Sequence, residues 1–127
     1  MKRVVSFGFL MLVLGACGGG SDSPPTTPPS GNNPFHITIT TAGANPKEVV
    51  VPPGTRVLFT NNDTRRRNMT SDPHPEHDAC TEINSVGFLN TGQSKETGNL
   101  NTVRTCGFHD HDDPDNNNVK GTIVIRP

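Results

Sequence analysis

Pro46-Lys47-Glu48-Val49-Val50-Val51-Pro52-Pro53-Gly54-Thr55-Arg56-Val57-Leu58-Phe59-Thr60-Asn61-Asn62-Asp63 is the stretch on which the reading of the fold turns. It holds two short β-prone runs, Glu48 to Val51 and Arg56 to Thr60. Pro52-Pro53-Gly54 separates them with turn chemistry, and Asn61-Asn62-Asp63 closes the second. Upstream, Phe35-His36-Ile37-Thr38-Ile39-Thr40 alternates apolar and polar residues, as a half-buried strand does. Downstream, Val86-Gly87-Phe88-Leu89 precedes a turn at Asn90-Thr91-Gly92, and Asn101 to Phe108 and Gly121 to Ile125 supply the last strands. No longer stretch carries an apolar period of 3.6, so helices are not expected. Short strands punctuated by regular turns predict an all-β fold, a Greek-key β-sandwich of about seven to eight strands.

The composition agrees. The chain has 127 residues, enough for one domain. Only 30% are hydrophobic, Trp and Tyr are absent, and 13 Gly and 12 Pro favour a turn-rich β domain over a helical bundle. The net charge is −1. Setting aside Lys2 and Arg3 in the N-terminal segment, acidic side chains outnumber basic ones, so the phosphates of nucleic acid are not an expected partner.

That N-terminal segment reads as an address. Met1, Lys2 and Arg3 form a positive end, and Val4 to Leu14 is an uncharged apolar run, too short for the ~20 residues of a bilayer-spanning helix. Leu14-Gly15-Ala16-Cys17 resembles the lipobox of bacterial lipoproteins. The resemblance implies a signal peptide over 1–16 and lipidation of Cys17, with acyl chains as the membrane contact. Gly18 in place of Asp implies an outer-membrane lipoprotein of the cell envelope, facing the periplasm or the cell surface. Residues 17–33, with GGGSDSPPTTPPSGNN after Cys17, lack apolar side chains and read as a tether; the folded domain is expected over 34–127.

The residues able to do chemistry fall in two stretches, each read as a loop. Residues 65–80 contain Met69, His74, His77 and Cys80, and residues 106–114 contain Cys106, His109 and His111. Clustered imidazole and sulfur donors suit copper or zinc. His36, on the polar phase of the first strand, reads as a surface residue. Asp110, Asp112, Asp113 and Asp115 lack the Gly and Glu positions of a calcium loop and read as a solvated acidic turn, which Arg65-Arg66-Arg67 would balance. No hydrolase signature is present, and an enzyme is not expected.

From about Ile37 to Ile125 the chain resembles a cupredoxin domain of the plastocyanin-like kind, on the strength of Pro46 to Asp63, Cys106-x-x-His109 and Lys120-Gly121-Thr122-Ile123-Val124-Ile125. The resemblance implies the sandwich fold and a copper site made of two His, one Cys and a weak axial Met, suited to electron transfer. Cys106 and His109 match that set. Arg67 stands where the first His is expected and Val119 at the axial position, and a guanidinium offers no lone pair to a metal. Three readings follow. His74 or His77 replaces the missing ligand and Met69 or a backbone oxygen adds a weak axial contact, preserving electron transfer with a redox or copper-delivery partner. Alternatively, Cys80 and Cys106 form a disulfide, expected in an oxidising compartment, and His74, His77, His109 and His111 make a nitrogen-rich copper or zinc site. In the third, Arg67 pairs with Asp110, Asp112 or Asp113 and the domain is a metal-free structural or interaction module that also carries the Cys80–Cys106 disulfide. A disulfide sulfur is not a thiolate, so the first two readings exclude each other.

Overall fold

The computed structural model describes residues 32–127. The signal peptide, Cys17 and nearly all of the tether lie outside the described residues. No described helix is long and apolar enough to cross a membrane.

Among the described residues, nine strands form two sheets: β1 (His36–Thr40), β2 (Gly43–Asn45), β3 (Glu48–Val51), β4 (Leu58–Asn61), β5 (Arg67–Ser71), β6 (Gly87–Leu89), β7 (Ser94–Glu96), β8 (Arg104–Asp110) and β9 (Gly121–Ile125). One sheet runs β2-β1-β4-β7 and the other β3-β9-β8-β5-β6, so the chain crosses repeatedly between layers. A 3₁₀ turn, Thr81–Ser85, precedes β6. The fold is the expected all-β sandwich, with more strands than the sequence announced. The additions are short or polar: β2, β7, and above all β5, which lies within a stretch read as a loop. Arg67-Asn68-Met69-Thr70-Ser71 has no apolar alternation, yet β5 pairs antiparallel with both β6 and β8. Pairing on two edges overrides a weak local preference.

Alternation sets the core. Ile37 and Ile39 of β1, Val49 and Val51 of β3, and Ile123 and Ile125 of β9 are buried, on a period of two. Phe59 of β4 meets Phe108 of β8 edge to face across the sandwich, with ring centroids 5.1 Å apart. This contact orients β8. Cys106, Phe108 and Asp110 face the interior, and the alternate residues Gly107 and His109 face the outer side of the five-stranded sheet. Val119 is also buried in the core.

Cys80 and Cys106 form a disulfide, with their Cα atoms 5.8 Å apart. Of the alternatives open for Cys106, the structure holds the bridge. Its sulfur is therefore withdrawn from the metal-ligand set. Met69 is fully buried among the apolar side chains, where it fills the core.

One end of the interior is ionic. Asn61 donates to the carbonyls of Arg65 and Leu89, at 2.9 and 2.8 Å, and accepts from the Asp63 N–H, shaping the turn that carries Asp63 and leads to Arg67. Arg67, 4% exposed, donates from Nε to Asp63 Oδ2 at 2.9 Å and from Nη1 to Asp110 Oδ2 at 2.9 Å; Nη2 also contacts Asp63. Asp110 Oδ1 accepts from the backbone N–H of Asn68 and of Asp112. Of the three acidic partners named for Arg67, only Asp110 is used. Asp113 pairs with Arg65 at 2.9 Å, and Asp112 lies 3.7 Å from Arg66. Asp63 is a partner the sequence reading missed. Burial would raise the Asp63 carboxyl, but the hydrogen bonds from Arg67 and the Thr64 N–H and the Arg67 charge outweigh it and hold its pKa below the ordinary value.

Two outcomes test this account. Replacing both Cys80 and Cys106 by Ser should lower stability by about 3 kcal/mol, by the loss of a ring of this size, in chemical denaturation. Arg67→Met leaves buried carboxylates without a cation and should cost about 3–5 kcal/mol at pH 7. Because the folded pKa of Asp63 is depressed, its stabilisation is present above the unfolded value and lost as pH falls through the folded one. The gap between wild type and Arg67→Met should therefore narrow below about pH 4.

Candidate metal centre

The loop 72–80, Asp-Pro-His-Pro-Glu-His-Asp-Ala-Cys, has almost no apolar side chain to bury, so its course is set by hydrogen bonds and by the disulfide at its end. The Asp72 N–H donates to the Gly107 carbonyl at 3.0 Å, extending the β5–β8 ladder. The His77 N–H donates to the Pro73 carbonyl at 2.7 Å and the Ala79 N–H to the Asp72 carbonyl at 3.1 Å, turning the chain back. The Cys80 N–H donates to Ser71 Oγ at 2.8 Å, and Asn84 Nδ2 donates to the His77 carbonyl at 2.8 Å. His77 takes φ 55°, a left-handed conformation uncommon for a side-chain-bearing residue and concentrated at functional positions.

This folding lays the loop over the outer face of β5 and β8, against His109. Ligand atoms of His74, His77 and His109 all lie within 4.8 Å of one another. His111, just beyond β8, joins them, with its Nδ1 2.8 Å from His77 Nε2. The His74 ring centroid is 5.2 Å from that of His111 and 5.5 Å from that of His109. Four of the five His in the chain therefore meet at one place. His36 is elsewhere, hydrogen-bonded to Thr60 on the other sheet. Cys106 and Met69 do not join the imidazoles: they lie in the interior of the sandwich.

The partners decide which nitrogen carries each proton. His77 Nδ1 is 2.9 Å from the Ser71 carbonyl oxygen, which can only accept, so the proton is on Nδ1. His109 Nδ1 is 2.6 Å from Asp72 Oδ1, and a carboxylate likewise accepts. Both rings thus turn their Nε2 lone pairs away from these partners. Burial lowers the His109 pKa, the neighbouring His77 and His74 push the same way, and Asp72 offsets only part of this. The balance favours the neutral form of His109, the form that binds a metal.

The donor set fits a borderline divalent cation. Nitrogens on opposite sides of a Zn(II) ion are at most ~4 Å apart, so the cluster is within a small side-chain adjustment of coordination. His74 and His111 are exposed and can make it; His109, 1% exposed, is held in place. The set does not fit a thiolate-copper centre. Of the positions that the family resemblance assigns to copper, Arg67 is in the ion triad, Cys106 in the disulfide and Val119 in the core, while His109 faces the opposite side of the sheet.

No family model and no curated protein matches the chain. Solved structures do. A purple cupredoxin from Nitrosopumilus maritimus aligns with 18% identity and a TM-score of 0.55, over 72% of this chain and 98% of that one. The oxidised form of plastocyanin from Dryopteris crassirhizoma aligns with 18% identity and a TM-score of 0.56, over 72% and 99%. A Cu(I) form of an amicyanin mutant aligns with 14% identity and a TM-score of 0.55, over 72% and 81%. At such identities the likeness concerns the backbone, and the described residues form a cupredoxin-like β-sandwich.

Proposed function

We propose that this protein is a copper-handling module of the cell envelope, tethered by lipid on Cys17, that binds Cu(II) through imidazoles on the outer face of its five-stranded sheet. Its role is binding and delivery rather than catalysis, with a copper-receiving protein as partner. The observation that carries the reading is the convergence of His74, His77 and His109 to within 4.8 Å on a cupredoxin-like scaffold. His111 adds a fourth imidazole beside His77. Nitrogen donors favour Cu(II), and Zn(II) suits the same set. The Cu(I) amicyanin relative supports copper as the first metal to test. With Cys106 bridged, an electron-transfer site of the thiolate type has no sulfur.

A second reading is a metal-free interaction module that keeps the sandwich. The Arg67 ion triad and the bridged Cys106 favour it, since both remove donors from the interior.

Copper titration of the purified protein separates the two. The first reading expects one Cu(II) per chain, a weak visible band without thiolate-to-copper intensity, and nitrogen superhyperfine structure in the electron paramagnetic resonance spectrum. His109→Ala should lower affinity at least tenfold. Absence of stoichiometric uptake with the bridge intact would leave the interaction module. Protons compete with metal for imidazole, so affinity should fall on acidification; because the His109 pKa is lowered, acid displaces metal from that ligand only below the ordinary imidazole value of about 6.5.

A further inference from the structure

We infer that Asp72 is the positioning residue of the imidazole site, with Gly107 as the cradle that holds its carboxylate in place; this rests on the metal-binding reading above. Asp72 is fixed at its backbone on both sides, its N–H bonded to the Gly107 carbonyl at 3.0 Å and its carbonyl to the Ala79 N–H at 3.1 Å. Its side chain turns back over β8, where Oδ1 accepts from His109 Nδ1 at 2.6 Å. A short bond from an imidazole N–H to a carboxylate is charge-assisted, stronger and more directional than a bond between neutral groups. His109 Nε2 meets only the Thr70 hydroxyl, at 3.4 Å, and is free to give its lone pair to a cation. A carboxylate behind a ligating imidazole fixes tautomer and ring plane and raises the basicity of the donor nitrogen.

Gly107 explains how the carboxylate comes to be there. It stands on the outer face of β8, two residues before His109, and a Cβ at that position would overlap the Asp72 carboxylate. Any other residue at 107 would have to push the Asp72 side chain away from His109. The Gly between Cys106 and Phe108 is therefore part of the metal site, although it touches no ligand nitrogen. Asp72 also belongs to a short orienting strip: the preceding residue, Ser71, supplies the carbonyl that holds His77. Adjacent residues of one strand end thus aim one imidazole from the loop and one from β8. Asp72 does this as an exposed acid, its side chain 46% accessible, and nothing in its surroundings gives it another partner that would account for its direction.

The test uses Cu(II) as the probe and the purified protein with its disulfide intact. Asp72→Ala and, independently, Gly107→Ala should each weaken Cu(II) binding by about 10- to 100-fold in competition with a chelator. Asp72→Asn, which keeps an acceptor without the charge, should fall between them and wild type. Nitrogen-15 NMR of the metal-free protein reads the dyad directly. Wild type should show His109 protonated at Nδ1, and both alanine variants a mixture of tautomers, with circular dichroism unchanged. Wild-type binding that Asp72→Ala and Gly107→Ala leave within twofold, or a wild-type His109 protonated at Nε2, would overturn the assignment. Failure of wild type itself to bind Cu(II) would instead remove the metal reading, and the positioning role with it.

Discussion

The covalent bond between Cys80 and Cys106 is the constraint on which the loop side of this molecule depends. The segment before Cys80 is built of Pro, His, Asp and Glu, with Ala79 its one apolar residue, and cannot hold itself against the sheet by burying surface. It is fastened at one end by the Asp72–Gly107 backbone bond and at the other by the disulfide, both to β8. That anchorage brings His74 and His77 to His109. The same bond takes both interior cysteine sulfurs that could have served as thiolates, so one interaction both assembles the imidazole cluster and excludes the alternative chemistry.

β8 presents two environments on its two faces. Inward, Cys106, Phe108 and Asp110 meet the disulfide, the aromatic contact and the Arg67 guanidinium. Outward, Gly107 and His109 meet the Asp72 carboxylate and the imidazoles. A cation bound outside need not compete with Arg67 inside, because a sheet and its side chains separate them. The polar end of the interior is fully hydrogen-bonded, with Arg67 held between Asp63 and Asp110, which is how three ionised groups are tolerated at such low exposure.

Much of this was legible in one dimension. Ile37 and Ile39 alternate with polar residues, as burial of one sheet face imposes, and Glu48 to Val51 and Ile123 to Ile125 announce their strands as β-branched runs. β5 was not legible: its sequence is Arg-Asn-Met-Thr-Ser, and its buried Arg67 and Ser71 are satisfied by partners distant in the chain. The grouping of His and Cys into two stretches pointed to a site, but the side of the sheet was hidden. It depends on whether His109 falls on the same phase of β8 as Cys106, and a Cys-x-x-His spacing read as loop carries no phase. Asp63 could have been noticed four residues before Arg67, a spacing that suits an ion pair once a turn intervenes.

Local order along the chain settles the class of fold, the positions of most strands, the pair of cysteines available for a bridge and the four imidazoles available for a metal. These follow from local alternation, turn residues and composition, which act over a few bonds. Tertiary structure decided that the sulfurs bond to each other, that Arg67 is neutralised indoors, and that the imidazoles meet outdoors behind Asp72. Such choices arise from strand register and from contacts between segments 26 to 43 residues apart, where a shift of one residue along β8 would have exchanged its inner and outer faces.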